Sequence, residues 1–303
     1  MRKKVQVFRS RGVDLAFDAI NLFLLIILLV VIAYPLYFLV LASFSEASAV
    51  TNGQVWLWPK GFNLDSYKKI LDYQVFWTGY RNTAIYTLLS TVIGVTVTMM
   101  AAYPLSFSNL PGKSWLMFLF VFTMFFSGGL VPTYMTVRSL DLTNTPTIVI
   151  ILGCFSTYNL IITRTFLQSS IPRDLYEAAE IDGAGYAGCF FRIVLPLSKP
   201  IFAVLVIYIA AWQWNSYFNA LIYLSDRKYI TLQLVLREIL TSQQQLMQQL
   251  QDGSMDQDMD KATKLAESIK YAIVIVSSLP IMCLYPFMQK YFVKGLFIGS
   301  IKG

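Results

Sequence analysis

Six stretches without a single charged side chain alternate with short polar segments along this chain. They run from Ala19 to Ser45 and then over about residues 82–107, 115–137, 146–164 (closed by Arg164), 200–224 and 271–289. A bilayer core takes about 20 apolar residues of helix, so each run is long enough to span. The pattern predicts an all-α polytopic membrane protein with six transmembrane helices and both termini inside. Residues 1–18 form a cytoplasmic segment, 226–270 a large external loop and 291–303 a cytoplasmic tail. Ala47-Ser48-Ala49 has the look of a leader-cleavage site, but the apolar run before it is longer than the roughly 7–15 residues of a signal peptide core, so it reads as an uncleaved first helix.

Several runs are interrupted. Ser127-Gly128-Gly129 and Pro132 break the third in its outer half. Such a break is tolerated where protein or water surrounds it, beside a pathway, or where small residues allow close helix packing. Ser127, Gly128 and Tyr134 are therefore candidate pathway residues. Pro280 and Pro286 kink or end the inner half of the sixth run. Near the outer end of the fifth, Trp212, Trp214, Asn215, Tyr217 and Asn219 put amides among aromatics. Aromatic faces stack on sugar rings and amides hydrogen-bond hydroxyls. An interfacial belt with polar helix–helix contacts fits the same residues.

One soluble segment stands apart. In Ile171 to Pro200, Pro172 and Asp174 suit a helix start, and Leu175, Ala178, Ala179 and Ile181 supply an apolar face. Asp182-Gly183 ends this helix with a left-handed cap. A second short helix, about Tyr186 to Val194, follows before Leu195-Pro196 breaks the chain. Two small amphipathic helices with a fixed bend make a knob suited to a groove on another protein.

Composition agrees: 56% of 303 residues are hydrophobic and 14% charged, against about 25% charged in soluble domains. The net charge of +7 is then a matter of topology rather than of nucleic acid. With the basic N-terminus (Arg2, Lys3, Lys4, Arg9, Arg11) inside, the inner loops carry the whole excess and the outside balances. No histidine is present, and Cys154, Cys189 and Cys283 have no metal-ligand or disulfide spacing. Gly112-Lys113-Ser114 resembles the end of a phosphate-binding loop, but the glycine required five positions earlier is Phe107. The chain is therefore not expected to bind ATP by that motif, and no metal or cofactor of its own is expected.

Glu177-Ala178-Ala179, Gly183 three residues on, and then Ile193-x-Leu195-Pro196 after nine more resemble the EAA loop of ABC-importer membrane subunits. Asp182-Gly183-Ala184 and Ser198-Lys199-Pro200 fit it too. The whole layout is similar to the shorter, MalG-like permeases of carbohydrate importers, through Trp212-x-Trp214-Asn215 and the ending Lys294-Gly-Leu with Lys302-Gly303. Phe126 to Tyr134 is closer to importers of complex oligosaccharides. The resemblance implies a multi-pass subunit of the cell (inner or plasma) membrane that is not itself an enzyme. It implies a second permease subunit, a heterodimer, and an ABC ATPase dimer that holds ATP and Mg. It also implies an extracellular solute-binding lipoprotein or periplasmic binding protein. Membrane lipid is a further partner; nucleic acid is not. The ATPase-coupling residues implied are Glu177, Ala178, Ala179, Asp182, Gly183, Ala184, Ile193, Leu195 and Pro196. The runs lack the ionisable groups that secondary transporters use, so the driving energy has to come from a partner. A permease for a non-sugar solute, or an energy-independent channel or scaffold, are the alternatives.

Overall fold

The computed structural model describes residues 11–251, 269–284, 286 and 289, and every described element is helical. The basic cluster before residue 10, the tip of the external loop beyond residue 251 and the tail from residue 290 lie outside the described residues. Lys294 and Lys302 lie in that tail.

The chain forms two compact units. The first holds residues 1–70 and 243–276. Its α1 (Arg11–Ser43) exposes apolar side chains on all sides, as a lipid-facing helix does. Beyond it, α2 (Ala47–Thr51) and α3 (Asp65–Asp72) fold back through Tyr37, whose hydroxyl donates to the Leu57 carbonyl at 2.6 Å, and through the stack of Phe44 on Phe62 and Tyr67. Trp56 and Trp58 stay exposed beside them, the arrangement of an aromatic belt.

The second unit holds residues 71–242 and 277–303. It is built around α4 (Gln74–Ser106), which packs against α7 (Pro146–Cys154), α8 (Thr157–Ser170) and α11 (Lys199–Asn215). The buried stripe of α4 is small and hydroxylated: Thr83, Thr87, Ser90, Thr91, Gly94, Thr98 and Ala102 recur every three or four residues. In lipid there is little hydrophobic gain between helices, so small residues that let backbones approach supply the packing. Gly94 lies against the carbonyl of Cys154, and Gly153 against the side chain of Gln213. The N-terminal half of α4 also holds a loop. Asn82 Nδ2 donates to the Lys228 and Ile230 carbonyls at 2.8 and 3.0 Å, and Thr83 Oγ1 accepts the Leu232 amide at 2.8 Å.

Helix ends and uncharged runs differ in instructive ways. Helix α4 starts at Gln74, eight residues before its run, because Phe76 and Gly79 are already buried. Arg81 therefore lies within the helix. The third run is two helices, α5 (Lys113–Phe125) and α6 (Leu130–Ser139), at 113° to each other. Gly129, at φ 84° and ψ 175°, takes a conformation open to glycine alone. Pro132 lies in the first turn of α6, where it breaks nothing. The fourth run breaks at Phe155 and Ser156, with a 42° bend between α7 and α8, and α8 then continues past Arg164 to Ser170. Among the described residues two helices, Asp14–Ser43 and Gln74–Ser106, are long and apolar enough to cross a membrane unbroken, and three bent pairs pass the same test together.

Gly94→Ala is expected to destabilise the bundle. Its Cβ would stand 2.9 Å from both the Cys154 carbonyl carbon and Ile209 Cδ1, and backbone cannot swing aside. Overpacking of this kind costs about 1–3 kcal/mol, read as a lower unfolding midpoint in detergent. Gly185→Ala faces open space at φ −70° and should stay within about 0.5 kcal/mol of the parent. Equal midpoints for the two variants would refute this account of the packing.

Candidate functional site

Two regions of the second unit concentrate unusual geometry. The first is the soluble segment. Helix α9 (Arg173–Ile181) starts after Pro172, carries Asp174 in its first turn and ends at Asp182, with Gly183 at φ 76°. The Gly183 amide closes the turn on the Glu180 carbonyl at 3.0 Å, and the Ala184 amide on that of Ala179 at 2.8 Å. These two bonds satisfy carbonyls that the helix end leaves free.

Helix α10 (Tyr186–Leu197) follows, with a π-helical stretch at Phe190–Val194. Leu195-Pro196 does not break it, contrary to the sequence expectation. The wider turn before Pro196 leaves no i−4 carbonyl bond for proline to lose, and the 80° bend into α11 falls at Ser198. Ile193 and Leu195 are half-buried and Pro196 is exposed.

The apolar face of α9 also differs from expectation. Ala179 is buried and Tyr176 half-buried, whereas Glu177, Ala178 and Asp182 are exposed and Ile181 is 86% exposed. At 100° per residue, Ile181 lies opposite Ala179, so the two cannot share a face. Tyr176 is the inward aromatic the sequence reading passed over. Its ring lies 5.2 Å from Phe107, and burial, followed by the nearby Cys189 thiol, pushes its phenol upward. A cavity of ≈ 750 Å³ beneath α9 is lined by Tyr103, Arg173, Tyr176, Glu177, Glu180 and Tyr186 among others. At its edge Tyr186, 76% exposed, sets its ring edge-on to Phe107 at 6.0 Å, and Ile181 projects to solvent from the end of α9.

The second region is a cavity of ≈ 860 Å³ onto which two chain breaks open. One is Phe155-Ser156 between α7 and α8; the other is Ser216-Tyr217 between α11 and α12 (Phe218–Tyr223). Where helices break, backbone groups are released to bind something else, which is why such breaks mark solute sites in membranes. Ser156 does not cap α8 with its side chain, so that helix's first N–H groups stay available to acceptors. Tyr158, Tyr208, Trp212 and Phe218 add aromatic surface, and Asn159 and Asn215 add amides. Tyr158 and Tyr208 stack at 6.5 Å with 21° between their planes. Among the described residues no charged side chain lines this cavity, and the Arg237 guanidinium lies 5.6 Å from the Tyr217 ring.

The model of the binding-protein-dependent transport system inner membrane component matches residues 78–298, which include both regions. The chain belongs to this family. It is a membrane permease subunit of a binding-protein-dependent system. It is 35% identical over 287 residues to protein LplC of Bacillus subtilis (strain 168), covering 95% of each chain. It is 34% identical to the polygalacturonan/rhamnogalacturonan transport system permease protein YtcP of the same organism, covering 95% of this chain and 98% of YtcP. Among solved structures it matches a bacterial ABC transporter involved in the import of the acidic polysaccharide alginate. The TM-score there is 0.82 at 30% identity, covering 94% of this chain and 99% of that one.

Within this permease the residues singled out from sequence separate. Trp212, Asn215 and Tyr217 line the cavity. Trp214 does not: it is buried, and its Nε1 donates to the Ser277 carbonyl at 2.9 Å, which makes it a packing residue. Asn219 is half-buried outside the lining. Ser127 and Gly128 sit exposed in the α5–α6 bend, and Tyr134 stacks on Tyr223 at 6.0 Å. None of these last three reaches the cavity. Sequence reasoning missed Phe155, Ser156, Tyr158, Asn159 and Tyr208. The usable signal was a tyrosine within an otherwise aliphatic run, as at Tyr208.

The two tryptophans should part company on substitution. Trp214→Ala is expected to cost about 3–5 kcal/mol of stability, as large core truncations do. Trp212, 69% exposed, should change the unfolding midpoint by about 0.5 kcal/mol or less on replacement by Ala. Comparable losses for both would contradict the placement.

Proposed function

We propose that this chain is the permease subunit of an ATP-driven ABC importer that moves a carbohydrate, an oligosaccharide, handed over by an extracellular binding protein. On this reading the chain crosses the membrane six times with both termini inside. It pairs with a second permease, and a separate ATPase dimer holds ATP and Mg. The observation that carries the reading is the knob at residues 171–200, with Ile181 86% exposed at the end of α9 and Tyr186 76% exposed at the start of α10. A short helix bearing exposed Ile181 and Tyr186 beside Glu177 and Asp182 is an anchor for a cleft on another protein.

The roles follow from the geometry. Glu177, Ala178 and Asp182 lie on the outer face and meet the ATPase, with Ala178 allowing close approach. Ala179 faces inward and seats α9 on its own chain. Gly183 makes the bend, Ala184 closes the cap, and Ile193, Leu195 and Pro196 carry the return into the membrane. ATP binding draws the two coupling helices of the importer together, the spans swing outward-facing, and hydrolysis resets them. Trp212, Asn215 and Tyr217 line the solute path with Tyr158 and Tyr208, whereas Trp214 and Tyr134 support its walls. Ser127, Gly128 and Asn219 have no role in it on this geometry.

The uncharged lining favours a particular division of labour. Rings stack on aromatic faces and hydroxyls meet amides and freed backbone groups, so this subunit reads neutral hydroxylated rings rather than carboxylates.

Purification of the chain from its native membrane should bring an ATPase with it. Ile181→Glu should reduce the amount retained, and Gly183→Pro should uncouple hydrolysis from uptake, because proline fixes φ near −65° where 76° is needed and removes the N–H that bonds Glu180. Both variants should still insert. Full ATPase retention in Ile181→Glu would count against the docking role. For the solute, Tyr208→Ala should lower uptake of neutral oligosaccharides, and uronate oligomers should compete poorly. Strong competition by uronates would exclude a neutral-reading path.

A further inference from the structure

The cytoplasmic-facing end of α4 collects donors from the segment that flanks α9. Arg164 Nε donates to the Leu105 carbonyl at 3.0 Å, and Gln168 Nε2 to that of Ser106 at 2.9 Å. Arg173 Nη2 donates to Ser108 Oγ at 2.9 Å, and Lys113 Nζ to the Phe107 carbonyl at 2.6 Å. The last carbonyls of a helix lack intrahelical partners and form its negative end, so cationic donors are expected there. Here the consecutive carbonyls of Leu105, Ser106 and Phe107 are taken by Arg164 and Gln168 of α8 and by Lys113 of α5, and Arg173 at the start of α9 holds the Ser108 hydroxyl just beyond the helix. Tyr103, one turn back on α4, donates to the Tyr186 carbonyl of α10 at 3.1 Å and packs its ring on Phe107 and Phe190. The last turn of α4 is thus tied to α8, α9 and α10 together.

The same helix reaches the solute cavity. Gly94, about 16 Å up the axis from Leu105 at 1.5 Å per residue, lies against the Cys154 carbonyl. Cys154 lines the cavity and immediately precedes the Phe155-Ser156 break. A side chain at residue 94 would keep α4 off that carbonyl, so motion of α4 bears directly on the break.

We propose that Arg164, Gln168 and Arg173 are positioning residues that clamp the end of α4 and pass displacement of α9 along it to the broken helix beside the cavity. The acceptors at Leu105 and Ser106 are backbone atoms of α4 and their donors sit on α8, which runs into α9 through Ile171-Pro172, so movement of α9 reaches α4 through the end of α8. The proposal rests on the ATPase-coupling reading above and adds the route by which the stroke reaches the solute.

The test uses the assembled importer in proteoliposomes, with the membrane subunits, ATPase and binding protein all present. Gln168→Leu and Arg164→Gln are compared with the parent for the amount of co-purified ATPase, the unfolding midpoint and the ATP hydrolysed per solute imported. Co-purified ATPase and midpoint should hold, while ATP consumed per solute rises by about 2- to 30-fold, the range that coupling changes along packed networks span. Arg164→Lys, which keeps a cationic donor, should recover most of the parental ratio. A parental ratio in both variants, or uptake lost only in proportion to lost assembly, overturns the clamp. If neither variant assembles, Arg173→Gln at its exposed position decides: an unchanged ratio overturns the proposal and a raised one supports it. Failure of the parent chain to retain any ATPase would sink the coupling reading itself, a result distinct from intact assembly with unchanged coupling.

Discussion

A backbone in a bilayer has to satisfy its own polar groups, and most of this permease follows from how α4 meets that demand against three neighbours. Its buried stripe is made of residues small enough for backbones to touch. The close approaches at Gly94 and Gly153 leave no room for a methyl group. Ser90 ties the stripe to the next segment through the Ile150 carbonyl at 3.0 Å. Beside the stripe, Val95, Met99, Tyr103 and Leu105 bury an apolar face, so close backbone contacts and apolar packing fix the helix together. Such packing transmits displacement and does not absorb it.

The breaks are the other side of that constraint. A helix that unwinds within the membrane releases donors and acceptors, and these have to face protein or water. At Phe155-Ser156 and Ser216-Tyr217 they face one cavity, together with aromatic rings and amides but, among the described residues, no charge in its lining. The bend between α5 and α6 is sharper, yet it opens elsewhere. Chain irregularity alone does not make a site; two irregularities converging on one space do.

The soluble knob depends on the same body. Tyr176 and Ala179 seat α9 inward, Arg164 and Gln168 hold the preceding α8 to the end of α4, and Arg173 at the start of α9 holds Ser108 just beyond it. This leaves the opposite face, with Ile181, exposed. Seating one face firmly is what allows the other to act as a rigid docking surface.

Hydropathy alone determined that the chain is a helical membrane protein, because uncharged runs of such length have no other stable solution in lipid. Local rules placed the start and stop of α9, since proline, aspartate and glycine act through their own backbone. The EAA spacing marked the family before any fold was known. Tertiary contacts decided the rest. Phe155 and Ser156 are not helix breakers by type, and nothing in those two residues foretells the break between α7 and α8. Trp212 and Trp214 look alike two residues apart, but helical phase sends one to the cavity and the other to the Ser277 carbonyl. Ile181 looked like part of an inner face until the helix was set on its neighbours. In each case the deciding quantity was which side of a helix meets which neighbour, and one sequence read alone does not contain it.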